Sequence, residues 1–341
     1  MKKTILPLAL AALTLNFNVQ AALLTIDTVT VGDAGNAADT TTYGAVADVF
    51  ALGKYEVTIG QYTTFLNAVA ATDTYSLYNP GMTTDQNIAG ITRTGSSGGY
   101  SYSVSGSGTR PITYVSWFDA ARFANWMNNG ATNGASTETG AYTLNGATSG
   151  VSFTKNAGAT WWIPSEDEWY KAAYYKGGGT NAGYWNYPTQ SDSAPGNVVG
   201  GAANQANYNN GVYSVTQSST YSGTQNYLSD AGAFSASDSA YATFDQGGNV
   251  IEWNDAVTGS NRVTRGGSWN FNATFLPSSH RNGVDPTVED GYVGFRVASA
   301  PAAPIPEPGT WAAMAIFAGG AAYAGWRRRQ RDGAHIGRVE R

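Results

Sequence analysis

Gly248-Asn249-Val250-Ile251-Glu252-Trp253 and Arg262-Val263-Thr264-Arg265-Gly266-Gly267-Ser268-Trp269 are the stretches whose reading decides the fold. Each mixes glycines with buriable aliphatics and closes on a tryptophan. Trp117 and Trp169 close two similar stretches upstream. Large aromatic area at such points steadies a chain with little regular structure, so core packing is the expected role of most of the ten tryptophans. Arg265 and Arg296 are expected to pair with buried carboxylates or carbonyls. Just before the first stretch, Asp245-Gln246-Gly247-Gly248 sets one carboxylate seven positions ahead of Glu252. The residues alone allow two readings. Asp245 forms a turn and Glu252 an ion pair, or both acids join the carbonyls of Gly248 and Val250 around a hard cation such as Ca²⁺.

Outward from this centre, residues from about Thr25 to Ser299 read as one irregular domain. Val49, Ala51 and Leu52 give a short strand pattern, and Ile59, Tyr62, Phe65, Leu66 and Val69 then mark one apolar helix face, capped by Thr58. Ser116 with Asp119, and Ser165 with Glu168, are capping-box pairs. The first opens a helix through Phe118, Ala121, Arg122 and Trp126 that ends at Asn128-Asn129-Gly130; the second precedes Trp169, Ala172 and Ala173. Glu166, Asp167 and Glu168 read as helix-start charges that suit the helix dipole. The Gly/Ser/Thr-rich stretch between Gly81 and Gly108 predicts an exposed loop or hairpin insert, and loops dominate from Asn181 to Tyr241.

Both ends of the 341-residue chain read as address labels. Lys2 and Lys3, the apolar run Ile5 to Leu15 and Val19-Gln20-Ala21 form a secretory signal peptide over residues 1–21. Residues 22–300 form the domain, and 301–310 a linker carrying Pro306-Glu307-Pro308. An apolar helix with an arginine cluster occupies 311–331, followed by a tail over 332–341. Between the labels, residues 22–308 hold 11 basic and 22 acidic residues, net −11, which excludes nucleic acid as a partner. The absence of cysteine excludes disulfides, thiolate metal sites and a thiol nucleophile, and two histidines starve a His-rich centre.

The motifs also occur as an ordered set. Val57-Thr58-Ile59-Gly60-Gln61-Tyr62, Arg110-Pro111-Ile112-Thr113-Tyr114-Val115-Ser116-Trp117 and Trp162-Ile163-Pro164-Ser165-Glu166-Asp167-Glu168-Trp169 precede the two opening stretches; Arg281 and Gly294-Phe295-Arg296 follow. Over residues 44–298 this set strongly resembles the formylglycine-generating enzyme, or sulfatase-modifying factor, domain. The resemblance implies an α+β, C-type-lectin-like fold, loop-rich with few short helices and strands. The Pro-Glu-Pro, apolar helix and arginine order resembles the PEP-CTERM sorting signal, which implies removal of the tail by an exosortase-type protease. A plain C-terminal membrane anchor is the alternative.

The oxidase of this family holds copper with two cysteines. Here Gly266-Gly267-Ser268-Trp269-Asn270-Phe271-Asn272-Ala273-Thr274-Phe275-Leu276-Pro277-Ser278-Ser279-His280-Arg281 places Ser278 where the second cysteine stands, and no thiol replaces the first. A hydroxyl does not hold Cu(I), so no copper is expected. A related iron-dependent branch needs three histidines, against His280 and His335 here. What the resemblance implies instead is structural calcium on Asp245, Gly248, Val250 and Glu252, with a second calcium at Asn207 and the Tyr208 carbonyl. In related surface proteins the residues after Gly-Gly-Ser-Trp contact ligands, which makes Trp269, Asn270, Asn272, Thr274, Phe275, Ser278, His280, Arg281 and Asn282 the candidate ligand face. The expectation is an exported, calcium-stabilised, non-catalytic protein, held transiently in the membrane and then placed at the cell surface or in the matrix. It would bind an envelope or extracellular matrix component, peptide or glycan. The alternatives are an enzyme using the former copper cleft and a purely structural matrix protein. A sulfatase-motif peptide incubated with the protein, copper, oxygen and reductant is expected to keep its cysteine unchanged by intact-mass analysis; conversion above the no-protein control contradicts this.

Overall fold

The computed structural model describes residues 23–301. In chain order, the elements are β1 (Thr28–Val31), β2 (Phe50–Gly53), α1 (Ile59–Val69), α2 (Gly81–Thr84), β3 (Ile91–Thr94), β4 (Ser101–Val104), α3 (Trp117–Asn128), β5 (Trp161–Trp162), α4 (Glu166–Tyr174), β6 (Ile251–Thr258), β7 (Asn261–Arg265), a 3-10 turn (Ala273–Phe275), β8 (Asn282–Val284), β9 (Val293–Phe295) and β10 (Ala298–Ser299). Three small sheets result, ordered β1-β2-β10-β5, β3-β4 and β8-β7-β6-β9. This is the α+β, loop-rich architecture expected.

The longer helices start where their caps predict. Thr58, Ser116 and Ser165 each accept from the backbone N–H three residues on, and Gln61, Asp119 and Glu168 reciprocate. Each box satisfies two otherwise orphan donors, which fixes the helix start independently of packing. The insert between Gly81 and Gly108 is a hairpin, β3 pairing antiparallel with β4, behind the single turn α2. The chain from Asn181 to Tyr241 contains only isolated bridges among irregular loops.

The largest core lies between α1, α3 and the strands, with smaller clusters around Trp169 and Trp269. Phe123 of α3 is its hub, with Tyr62, Phe65, Trp126 and Phe295 at ring-centroid distances of 6.2, 5.3, 5.8 and 5.4 Å. Trp117, Trp169, Trp253 and Trp269 are all buried, as expected. Three of them also use their indole N–H: Trp169 donates to Glu252, Trp253 to the Val115 carbonyl and Trp269 to the Gly291 carbonyl. A buried indole with a partner therefore fixes a loop as well as filling space.

The tie between sheets is ionic. β9 runs parallel to β6 with Glu252 opposite Gly294 and Trp253 opposite Phe295. Period-2 alternation then carries Arg296 to the same side as Gly294, over Glu252. Arg296 Nε and Nη2 donate to Glu252 Oε2 and Oε1, both at 2.7 Å, in a fork-on-fork pair, and neither residue is exposed. The same guanidinium donates to the carbonyls of Gly53 at the end of β2 and of Phe244. Gly294 permits this closeness, because a Cβ there would stand 2.6 Å from the Ile112 carbonyl oxygen and 2.8 Å from Val250 Cγ2.

Removing one partner of a buried ion pair leaves an uncompensated charge, at a cost of about 3–5 kcal/mol. Arg296→Met is expected to lower the melting temperature by at least about 6 °C by the scaling for domains of this size. The double substitution Arg296→Met/Glu252→Leu is expected to recover part of that loss. Thermal unfolding followed by circular dichroism checks both.

Candidate functional site

The expected ligand face is built around one carboxylate. Glu166, in the first turn of α4, accepts at Oε1 from Arg265 Nε at 2.8 Å and Arg281 Nε at 2.9 Å, and at Oε2 from Arg281 Nη2 at 2.8 Å. Arg265 Nη1 holds the carbonyls of Ser278 and His280 at 2.9 and 2.8 Å. Tyr43 lies against both guanidinium groups, 4.7 and 5.3 Å from its ring centroid. Two cations and one acid thus pin residues 278–281 against β7 and α4. Glu166 sits at the end of the helix dipole that favours a carboxylate, so the clamp begins from a stabilised anion.

Along the segment, Asn270, Asn272 and Thr274 are exposed, while Phe275, His280, Arg281 and Asn282 are half-buried. Asn272 Oδ1 accepts from the N–H and hydroxyl of Thr274 and so holds the 3-10 turn together. Phe275 stacks near Phe271 and His280, with centroids 4.6 and 4.7 Å away. Burial and the neighbouring Arg265 charge lower the His280 pKa, which keeps the imidazole neutral at pH 7. Two of the nine residues read as ligand-facing lie beneath the surface instead. Trp269 stacks on Tyr227 at 5.0 Å, and Ser278 is 5 % exposed with its N–H donated to the Asn186 carbonyl. Neither presents a group to solvent, because the Arg265 clamp and the Tyr227 stack draw both inward.

Asp245, Gly248, Val250 and Glu252 follow one turn, but both carboxylates already have protein partners. Asp245 has φ +60 and accepts from the Gly232 N–H at 2.6 Å, and burial pushes its carboxyl up to about 6. Gly248 (φ +85) packs so tightly on Asn207 that a Cβ would sit 2.2 Å from its carbonyl oxygen, and its N–H goes to the Gly266 carbonyl. Glu252 has both oxygens on Arg296, and Oε2 takes Trp169 Nε1 as well at 2.8 Å. As a free oxygen ligand it does not fit; the ion-pair reading of Glu252 and the turn reading of Asp245 describe their geometry. At the second position, Asn207 Nδ2 donates to the carbonyl of Tyr227, and the Tyr208 carbonyl accepts from Asn197 and Ser214 at 3.2 and 3.1 Å. Those partners are neutral. Among the described residues, no three His, Cys, Asp or Glu side chains come together in a way that could hold a metal ion.

A loop-rich α+β domain, stapled by buried Arg–Glu pairs and carrying a short exposed segment between them, is the class of protein this geometry defines. The sulfatase-modifying factor enzyme 1-like domain family matches residues 23–301, and the chain belongs to that family. The PEP-CTERM protein-sorting motif matches residues 304–329. That motif marks the chain for export and implies processing by exosortase-type machinery; it and the signal peptide read at 1–21 lie outside the described residues. No helix among the described residues is long and apolar enough to cross a membrane. No curated protein matches the chain. Similar solved structures include CarF (22% identity, 82% of this chain and 100% of that one, TM-score 0.49) and PvdO from Pseudomonas aeruginosa (19%, 82% and 93%, 0.42). Variable protein 1 of Treponema denticola is another (18%, 80% and 95%, 0.42).

From the sequence alone, Glu166 is a helix-start charge only. Its second role carries no local signal, because Arg265 and Arg281 lie 99 and 115 positions away. The employment of Glu252 has a direct consequence. Glu252→Gln is expected to lower the melting temperature equally in chelator and in millimolar calcium, since its partner is Arg296. A loss that shrinks in chelator would make Glu252 a calcium ligand.

Proposed function

We propose that this exported member of the family is a recognition protein that binds a peptide or glycan through the segment from Asn270 to Asn282, without oxidising it. The observation that carries this reading is the full set of 341 residues without one cysteine, with Ser278 at the second thiol position and pointed away from solvent. Oxygen activation on copper needs thiolates, and a buried hydroxyl does not replace them.

Ligand binding is supported by how the segment is held. Arg265 and Arg281 fix its C-terminal part on Glu166, and Asn272 fixes the 3-10 turn. Exposed amide and hydroxyl groups of Asn270, Asn272 and Thr274 therefore lie on a preorganised backbone beside the half-buried rings of Phe271 and Phe275. Preorganisation lowers the entropy lost on binding, and neutral hydrogen-bonding groups around an aromatic suit an uncharged peptide or sugar surface.

The purified mature protein, applied to combined glycan and peptide arrays, is expected to give a saturable hit. Asn270→Ala and Phe275→Ala are expected to weaken that hit at least tenfold, with the melting temperature unchanged for Asn270→Ala and modestly lowered for Phe275→Ala, whose ring also packs on Phe271 and His280. No saturable hit, or one indifferent to both substitutions, rejects recognition by this segment.

A further inference from the structure

A second recess lies elsewhere, and its walls share no residue with the segment 269–282. The turn after α1 (Thr74, Tyr75, Ser76), the start of α3 (Ser116, Phe118, Asp119, Arg122), Thr148 and the turn carrying Thr287 and Glu289 enclose about 590 Å³, open mouth included. The walls are fixed to each other. Trp117 N–H donates to the Pro286 carbonyl, Asn79 Nδ2 donates to Glu289 Oε2 at 2.7 Å, and Asp73 accepts from Arg93 at 3.1 Å.

The charges in this recess do not balance. Asp119 is 2 % exposed; its Oδ2 accepts from the Ser116 N–H and hydroxyl, and its Oδ1 accepts no hydrogen bond among the described residues. Glu289 Oε1 likewise has none. Arg122 would be the neutralising cation, but its Nε and Nη2 are bonded to Glu138 at 2.7 and 3.3 Å, and Nη2 also to the Ala147 carbonyl. Its remaining nitrogen, Nη1, is buried without a partner, with Tyr75 centred 3.9 Å from the guanidinium carbon. Burial and the Glu289 charge push Asp119 up to about 7, and burial raises Glu289 too. A fixed hollow thus offers two acceptor carboxylates lacking a cation, one guanidinium nitrogen lacking an acceptor, hydroxyl groups from Thr74, Ser76, Thr148 and Thr287, and the rings of Tyr75 and Phe118.

We propose that this recess binds a cationic amino sugar, a hexose unit with a free ammonium group beside hydroxyls. The ammonium donates to Asp119 Oδ1 and Glu289 Oε1 and supplies the missing positive charge. A ring or hydroxyl oxygen of the same unit can meet Arg122 Nη1 after a small shift of Tyr75, and the remaining hydroxyls exchange hydrogen bonds with the threonine and serine side chains. The half-buried ring of Tyr75 beside the opening suits the C–H face of a pyranose, over a floor closed by buried Phe118. A simple alkylamine would leave the hydroxyl groups and Nη1 unused. A neutral sugar would leave the buried Asp119 and the half-buried Glu289 without a cation, which charge burial opposes.

Calorimetry on the mature protein tests this with glucosamine, the fully deacetylated trimer chitotriose, its N-acetylated counterpart, maltotriose and n-butylammonium chloride. The deacetylated trimer is expected to bind at least tenfold more tightly than the N-acetylated trimer, maltotriose and butylammonium, and more weakly as salt rises. If glucosamine alone binds as tightly as the trimer, the ligand is a single unit; if the trimer is tighter, it is a chain. Glu289→Gln keeps an acceptor for Asn79 and is expected to weaken binding at least tenfold with little change in melting temperature. Asp119→Asn is expected to weaken it as well, and its melting temperature reports any damage to the α3 cap. Equal binding of the acetylated trimer or of butylammonium, no binding of either deacetylated sugar, or binding unchanged by Glu289→Gln overturns the proposal. This site stands apart from the 270–282 reading, because Asn270→Ala and Phe275→Ala are expected to leave chitotriose binding intact.

Discussion

The Arg296–Glu252 pair is the constraint on which the other contacts depend. A charge inside a protein is tolerated only when its hydrogen-bonding capacity is met, and here one guanidinium reaches Glu252 on β6, the end of β2 and the loop at Phe244. Two sheets and a long loop are therefore located by one side chain. Trp169 adds α4 to the same carboxylate. The parallel register of β6 and β9 is what brings the two residues over each other, and Gly294 is small enough to allow it.

A chain with short strands has few backbone ladders to hold it. Here the shortfall is met by polar staples with directional geometry. The Glu166 clamp repeats the logic of the Glu252 pair one layer outward, with Arg265 fully buried and Arg281 partly open to solvent. Arg262 extends it again, bonded to Asp255 and the carbonyls of Val151 and Phe153 with its face on Trp117. Such pairs specify position more than they add stability, since desolvation consumes much of the Coulomb gain. They suit a protein whose exposed segment must be held still by a loop-rich body.

The two proposed binding surfaces differ in chemistry because their supports differ. Around Asn270 to Asn282, arginine charge is consumed by Glu166, and the outward groups are neutral amides, hydroxyls and aromatic rings. In the recess at α3, arginine charge is consumed by Glu138 and the acids are left over. In both cases the fold decides which groups are left to face outward by choosing which charges it neutralises internally.

Much of this was legible from residue types and short spacings. The three capping boxes act within four residues, so Thr58, Ser116 and Ser165 announced their helices, and the tryptophans announced a core by size alone. The lack of cysteine excluded thiol chemistry with no structure at all. That Arg265 and Arg296 would pair with buried carboxylates or carbonyls was also expected from residue type. Which acids they meet was not, since Glu166 is 99 positions from Arg265 and Glu252 44 from Arg296. For the same reason the sequence left Glu252 open between ion pair and metal ligand, and only the β6–β9 register puts a guanidinium on both its oxygens. The recess was invisible because its walls come from turns far apart in the chain, and each acid on its own reads as a helix cap or a surface charge. Local hydrogen bonds are written in neighbouring residues, whereas the neutralisation of charge is a property of distant residues brought together, and tertiary structure alone decides it.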